Sequence, residues 1–376
     1  MKIVAASDSF KGSLTSLEVA RNVELGVHDV FPDCEVVKLC VADGGEGTAE
    51  ALYHNMPGRT IHVPVSDPLG RSVEVSYYIT VDGHTAIIEM SAASGLTLLE
   101  PSEYNPMKTS SYGTGEMISD ALSRGCRQFL VGIGGSATND AGMGMLSALG
   151  YRFHDSEGRM LDGSGSSLSL IEDVDVSHVH PALAESEFIV ACDVDSPMSG
   201  PEGAAYVFAP QKGADEHMVR LLDDGLVHFS SIAEKVTGIN VSELPGAGAA
   251  GGMGGCFVAF LNGRLTSGAE IILDAIGFDD VIDGADLVIT GEGRVDSQTL
   301  LGKLPFRIMR RAASKGIPVV AVCGNCRLEE EEIGNSGFVG IYPVTPAGMS
   351  LEEALSPLTA GENIRNTVRT IISELN

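Results

Sequence analysis

The sequence predicts an α/β fold of two domains: a parallel-sheet domain built from both chain ends, and a mixed α/β domain inserted between them. Three observations carry this. The 376 residues exceed what one ordinary core holds. Short apolar strands alternate with helical segments at both ends, the pattern of a parallel sheet covered on both faces. Closely spaced strands with a hairpin signal interrupt that pattern in between. The expected division is 1–64 plus 288–376 for the first domain and 65–287 for the second, with the active site in a cleft between them.

The N-terminal elements come first. Ile3-Val4-Ala5-Ala6 reads as a strand, a helix follows from about Thr15, and 36–41 reads as a second strand. Thr15 and Glu18 have capping-box spacing, and Val19, Val23, Val27 and Val30 form an apolar stripe that ends at Phe31-Pro32. The last ninety or so residues repeat the style, with strands at 285–290, 317–322 and 338–342, a helix over 299–315 and a final helix over 361–374. In the middle, 61–65, 73–79 and 85–90 read as strands, the last two joined through Asp82-Gly83. Mixed α/β then resumes with strands at 129–133 and 188–192 and a helix after 140.

Composition limits the function classes. The formal charge of −27 repels nucleic acid and anionic lipid, so neither partner is expected. No apolar run approaches the roughly 20 residues of a membrane-spanning helix, and the apolar N-terminal stretch is too short for a secretory signal. A cytoplasmic location is expected. The seven cysteines are odd in number and thinly spread, which reads as reduced thiols, and Cys323-Gly-Asn-Cys326 lacks the second pair that a zinc site needs. Because the acidic surface also opposes anionic substrates, a phosphate site here must rely on backbone N–H groups, a few Lys or Arg and a divalent cation.

Glycine makes up 46 residues, about 12% against a typical ~7%, and the excess sits in loops after predicted strands, where open α/β sheets bind ligands. Asp8-Ser9-Phe10-Lys11-Gly12 precedes a helix N-terminus and offers an anion both N–H groups and the Lys11 ammonium. Asp43-Gly-Gly-Glu46-Gly-Thr48 sets two carboxylates among three glycines, suited to a hydrated Mg²⁺ or to a proton. Gly132-Ile-Gly134-Gly135-Ser136-Ala-Thr138-Asn139-Asp140 contains G-x-G-x-x-A, with Asp155 about twenty residues on, so a dinucleotide site is a rival here. Against that rival, the polar run 136–140 delays the helix that the fingerprint requires.

Two further loops carry charge. Cys192-Asp193-Val-Asp195 leads to Pro210-Gln-Lys212-Gly-Ala, an acid and a lysine suited to hydroxyl deprotonation and to charge neutralisation. In Gly291-Glu292-Gly-Arg294-Val-Asp296 the charges alternate just before a helix. The small-residue run 246–255 lets backbone pack closely against a ligand or a neighbouring helix. Neither a G-x-x-x-x-G-K-[ST] loop nor a kinase catalytic-loop signature occurs, and G-x-S-x-G is missing.

These strings, together with Pro245-Gly-Ala-Gly-Ala-Ala-Gly-Gly252 and Gln298-Thr299, make the chain resemble the bacterial type-1 glycerate kinase family along essentially its whole length. It departs from the family pattern at Ser7, Ala141 and Ser196, where Pro, Gly and Asn are usual. The resemblance implies ATP and D-glycerate as substrates, Mg²⁺, phosphoglycerate as product with the 2-hydroxyl as the favoured acceptor, and two α/β domains. It leaves homo-oligomerisation open.

The chemistry then suggests roles. Asp193 accepts the hydroxyl proton, while Lys11 and Lys212 neutralise phosphate charge. Asp43 and Glu46 hold Mg²⁺. Arg294 grips the substrate carboxylate through a two-pronged hydrogen bond, with Asp8, Ser9, Glu292 and Asp296 beside the substrate. Gly132, Gly134, Gly135, Ser136, Thr138 and Asn139 cradle the nucleotide. The alternatives are an NAD(P)-dependent oxidoreductase for a small hydroxy acid, a non-catalytic nucleotide sensor, and a kinase for a longer sugar acid.

Overall fold

A computed structural model describes residues 1–43 and 48–374. The chain forms two compact units, Met1–Met56 with Ala269–Asn376 and Pro57–Gly268. Along the chain, β1 (Lys2–Ser7), α1 (Ser16–His28) and β2 (Glu35–Lys38) open the first unit. The second unit holds β3 (Gly58–Ser66), β4 (Ser72–Thr80), β5 (Thr85–Glu89), α2 (Tyr112–Ser123) and β6 (Gln128–Gly132). It continues with α3 (Met143–Ala148), β7 (Arg152–His154), β8 (Asp173–Asp175), β9 (Glu187–Ala191), α4 (Glu216–Thr237), α5 (Ala249–Leu261) and β10 (Arg264–Thr266). The chain then returns to the first unit with β11 (Leu287–Val295), α6 (Ser297–Leu300), α7 (Leu304–Ser314), β12 (Val319–Cys326), β13 (Gly340–Pro343), α8 (Leu351–Leu355) and α9 (Pro357–Glu374).

The first unit is a five-stranded sheet in the order β13-β12-β11-β1-β2, parallel throughout. As expected of strands covered on both faces, Ile3–Ala6 of β1 and Leu287–Ile289 of β11 are continuously apolar and buried. The predicted capping box is present: Thr15 accepts from the Glu18 N–H, and Glu18 in turn accepts from the Thr15 N–H at 2.8 Å. The valine stripe of α1 packs toward the sheet and against α9. Gly26 is required at that helix crossing, since a Cβ there would lie 2.6 Å from the carbonyl of Arg365.

The second unit carries a six-stranded mixed sheet in the order β10-β9-β6-β5-β4-β3, with a two-stranded β7-β8 ribbon beside it. β3, β4 and β5 are antiparallel neighbours, whereas β5, β6, β9 and β10 run parallel. The expectation of one parallel and one mixed α/β sheet is therefore met. One predicted element differs: the helix read over 299–315 is two helices, because Gly302 takes φ +123 and Pro305 stands in the first turn of α7.

Candidate functional site

In the first unit, β1 and β11 are neighbours, but the chain leaves them in opposite directions, toward β2 on one side and toward β12 and β13 on the other. Such a reversal opens a crevice at the carboxyl ends of the strands. A cavity of about 670 Å³ lies there, lined by Asp8, Ser9, Lys11, Asp43, Glu292 and Arg294 among others. Six of the residues expected to form the site thus share one pocket. The tight sheet spacing beneath it depends on Gly291, where a Cβ would meet the carbonyl oxygen of Val322 at 2.0 Å.

Three carboxyls in this pocket are poorly hydrated. Burial pushes Asp8 up to about 6, against the opposing pull of its hydrogen bond from the Ser9 N–H, which it accepts at 2.7 Å. Burial also raises Asp43, whose Oδ1 accepts from the Leu304 N–H at 2.7 Å and so caps α7. Glu292 is raised by burial as well, with the Asp43 and Asp8 charges adding to it; its Oε1 accepts from Thr299 Oγ1 at 2.5 Å, and Lys303 Nζ stands 3.7 Å from Oε2. Lys11, Arg294 and Lys303 supply the positive charge in the same cavity.

Asp296 has a structural task. It is the N-cap of α6, accepting from the Gln298 N–H, and its Oδ2 accepts from Arg294 Nε at 3.1 Å, which steadies the guanidinium. Glu46 lies outside the described residues. Beyond the 8–13 loop a second cavity of about 440 Å³ is lined by Lys11, Arg21 and His54.

In the second unit, the glycine loop after β6 divides into two parts. Gly134 and Gly135 are exposed, whereas Thr138, Asn139 and Asp140 are fully buried. Lys212, itself buried, donates from Nζ to Ser136 Oγ at 2.6 Å and to the Thr138 carbonyl at 2.7 Å. Burial lowers its ammonium to about 7, although the nearby Asp140 charge works against that shift. Asp140 accepts from Ser111 N–H and Oγ and from the N–H groups of Gly142 and Gly144. Among the described residues, Thr138 Oγ1 and both amide atoms of Asn139 are buried without a partner. In this arrangement Lys212 ties the loop together, and the polar side chains of 138–140 face the interior.

Gly132 pairs with Ala191, so the exposed Asp193 follows the strand end beside the loop, where its Oδ1 accepts from the Gly268 N–H at 3.2 Å. Gly132 leaves room for Glu89, whose Oε2 would lie 2.3 Å from a Cβ at that position. Burial alone raises the Glu89 carboxyl to about 7. Sequence reasoning missed this acid, which has no motif around it. The small-residue run packs against the same loop: a Cβ on Gly251 would lie 2.2 Å from the Thr138 carbonyl oxygen.

The dinucleotide alternative loses its supports here. No helix begins until Met143, and Asp155 is tied into a surface turn by the Glu157 and Arg159 N–H groups and by Arg159 Nε at 2.8 Å.

The model of the family described as "Glycerate kinase family" matches residues 3–376. The chain belongs to the glycerate kinase family. Among its relatives, a glycerate kinase of Bacillus cereus is 44% identical, with 99% of this chain and 97% of the relative covered. A glycerate 2-kinase of Escherichia coli K12 is 42% identical, covering 100% of this chain and 98% of the relative. A solved structure from Salmonella typhimurium LT2, assigned as a glycerate kinase 2, superposes with a TM-score of 0.88 at 42% identity, covering 100% of this chain and 98% of that one. Glycerate kinase family membership thus agrees with the resemblance carried by the strand-end motifs. Among the described residues no helix is long and apolar enough to cross a membrane.

Proposed function

We infer that the chain is a glycerate kinase that transfers the γ-phosphoryl group of ATP to D-glycerate, with the 2-hydroxyl as acceptor, in the cytoplasm. The observation that carries this reading is full-length similarity to relatives named for the activity, one of them a glycerate 2-kinase. The pocket of three poorly hydrated carboxyls and three cations at the β1–β11 reversal is in keeping with it.

In the proposed reaction Asp193 takes the hydroxyl proton as the glycerate oxygen attacks phosphorus, and ADP departs with the bridging oxygen. Arg294 holds the glycerate carboxylate, positioned by Asp296. Lys11 and Lys303 face the phosphates, and Lys212 fixes the 136–138 segment from behind. Mg²⁺, when bound, neutralises phosphate charge. The donors fit it: Asp43 presents a hard oxygen beside the cavity, and its Oδ2 is not engaged by the Leu304 cap. Mg²⁺ is usually bound through one or two carboxylates together with phosphate oxygens and water, and Asp43 can supply one such carboxylate.

A coupled assay of ADP release over a panel of small hydroxy acids tests the reading, with D-glycerate expected as the best acceptor and phosphorus NMR locating the phosphate on C2. Reduction of NAD without ADP release, or preference for a longer sugar acid, overturns it.

A further inference from the structure

The first-unit cavity has two unlike halves. One half holds the strand-end acids and cations already described. The other is apolar, lined by Val344, Met349, Leu351, Ala354, Leu355 and Ala360 from β13's trailing loop, α8 and α9. Val344 and Ala360 are buried at its base, while Leu351 and Leu355 are 74% and 38% exposed at its rim. Glycerate gives this half no task, being too small and too polar to need it.

We propose that this apolar half seats the purine ring of the nucleotide, with the phosphates directed toward Lys11 and Lys303. The proposal rests on ATP being the phosphoryl donor and goes beyond it by fixing where the base binds. Four features of the cavity agree. Its volume of about 670 Å³ falls within the roughly 300–1,000 Å³ of small-molecule sites. It lies at the reversal of strand order, where open parallel sheets take nucleotides. Met349 lines it and its Sδ accepts from Asn363 Nδ2 at 3.5 Å, and sulfur packs well against an aromatic ring. Asn325 and Asn363 bring amide groups to the same wall, able both to donate to and to accept from a purine edge.

The glycine loop of the second unit is the competing seat, and its chemistry suits it less. Ser136 is engaged by Lys212, and Thr138 and Asn139 are fully buried, which leaves only Gly134 and Gly135 exposed. Two glycines offer backbone to a phosphate but no apolar surface to a ring.

Calorimetry on the full chain without glycerate separates these cases, using ADP and tripolyphosphate as probes. The variants are Ala354→Trp, which fills the slot, and Leu351→Asp, which places a charge at its exposed rim where folding is not at risk. Each is expected to weaken ADP binding by roughly tenfold or more while leaving tripolyphosphate unchanged. Unchanged ADP affinity in both variants, equal loss of both probes, or a wild-type protein that prefers ADP no more than tripolyphosphate overturns the proposal. A selective loss of ADP binding in Gly134→Val, with none in the two slot variants, likewise overturns it and places the ring on the second unit. Absence of glycerate phosphorylation alongside base-dependent ADP binding overturns the proposed function and leaves the slot standing.

Discussion

Lys212 Nζ donates to Ser136 Oγ at 2.6 Å across 76 residues of sequence, inside a unit from which water is excluded at that point. The amine's pKa falls from 10.5 in the unfolded chain to about 7 in the fold because burial disfavours the charged form. Between those values the unfolded chain binds more protons, so raising the pH through that window favours the folded state, and lowering it from 10.5 toward 7 removes the advantage. Thermal melts of wild type and Lys212→Met from pH 7 to 9.5 are expected to show the wild type gaining steadily on the variant. At the upper end the variant is less stable by about 2 kcal/mol, from the acceptors it leaves unpaired. A difference that does not vary with pH contradicts the depressed pKa.

Asp193→Asn keeps an oxygen for the Gly268 N–H, so the fold is retained while the base is lost. Turnover is expected to fall by roughly 10²–10⁴-fold, with circular dichroism unchanged. A folded variant with nearly full turnover rules out Asp193 as the proton acceptor.

Arg294→Lys keeps the charge but removes the planar fork and its contact with Asp296. The KM for glycerate is expected to rise about tenfold, and the KM for ATP to change little. Equal rises in both would assign the guanidinium to the phosphates instead.

Gly251→Ala adds a Cβ 2.2 Å from the Thr138 carbonyl oxygen at a residue with φ +70. Urea unfolding is expected to show a loss of about 3 kcal/mol or more. Gly134→Ala is the matched control: the space around its Cβ is open, and the expected change is within about 0.5 kcal/mol.

Local signals were the most legible part of the chain. Thr15 and Glu18 cap α1 as their spacing requires, and the valine stripe faces the core. The break between α6 and α7 was written in Gly302 and Pro305, but the apolar periodicity across it concealed the stop. The acids at strand ends were legible because glycines flank them. Glu89 was not, since its raised pKa comes from packing beside Gly132, which is 43 residues away in sequence. The apolar slot was hidden for a similar reason: Val344, Ala354 and Ala360 come from the loop after β13, from α8 and from α9, and nothing in their spacing marks a ligand.

The pairing of Ile3 with Leu287 has a consequence for biosynthesis. At roughly 5–20 residues per second, β1 leaves the ribosome about 15–60 s before its neighbour β11 exists. Residues 57–268 are contiguous and complete their own sheet during that interval. The first unit therefore closes last, and until then the apolar β1 strand stands with one flank unpaired, which makes nascent-chain protection by a chaperone most valuable for the N-terminal segment.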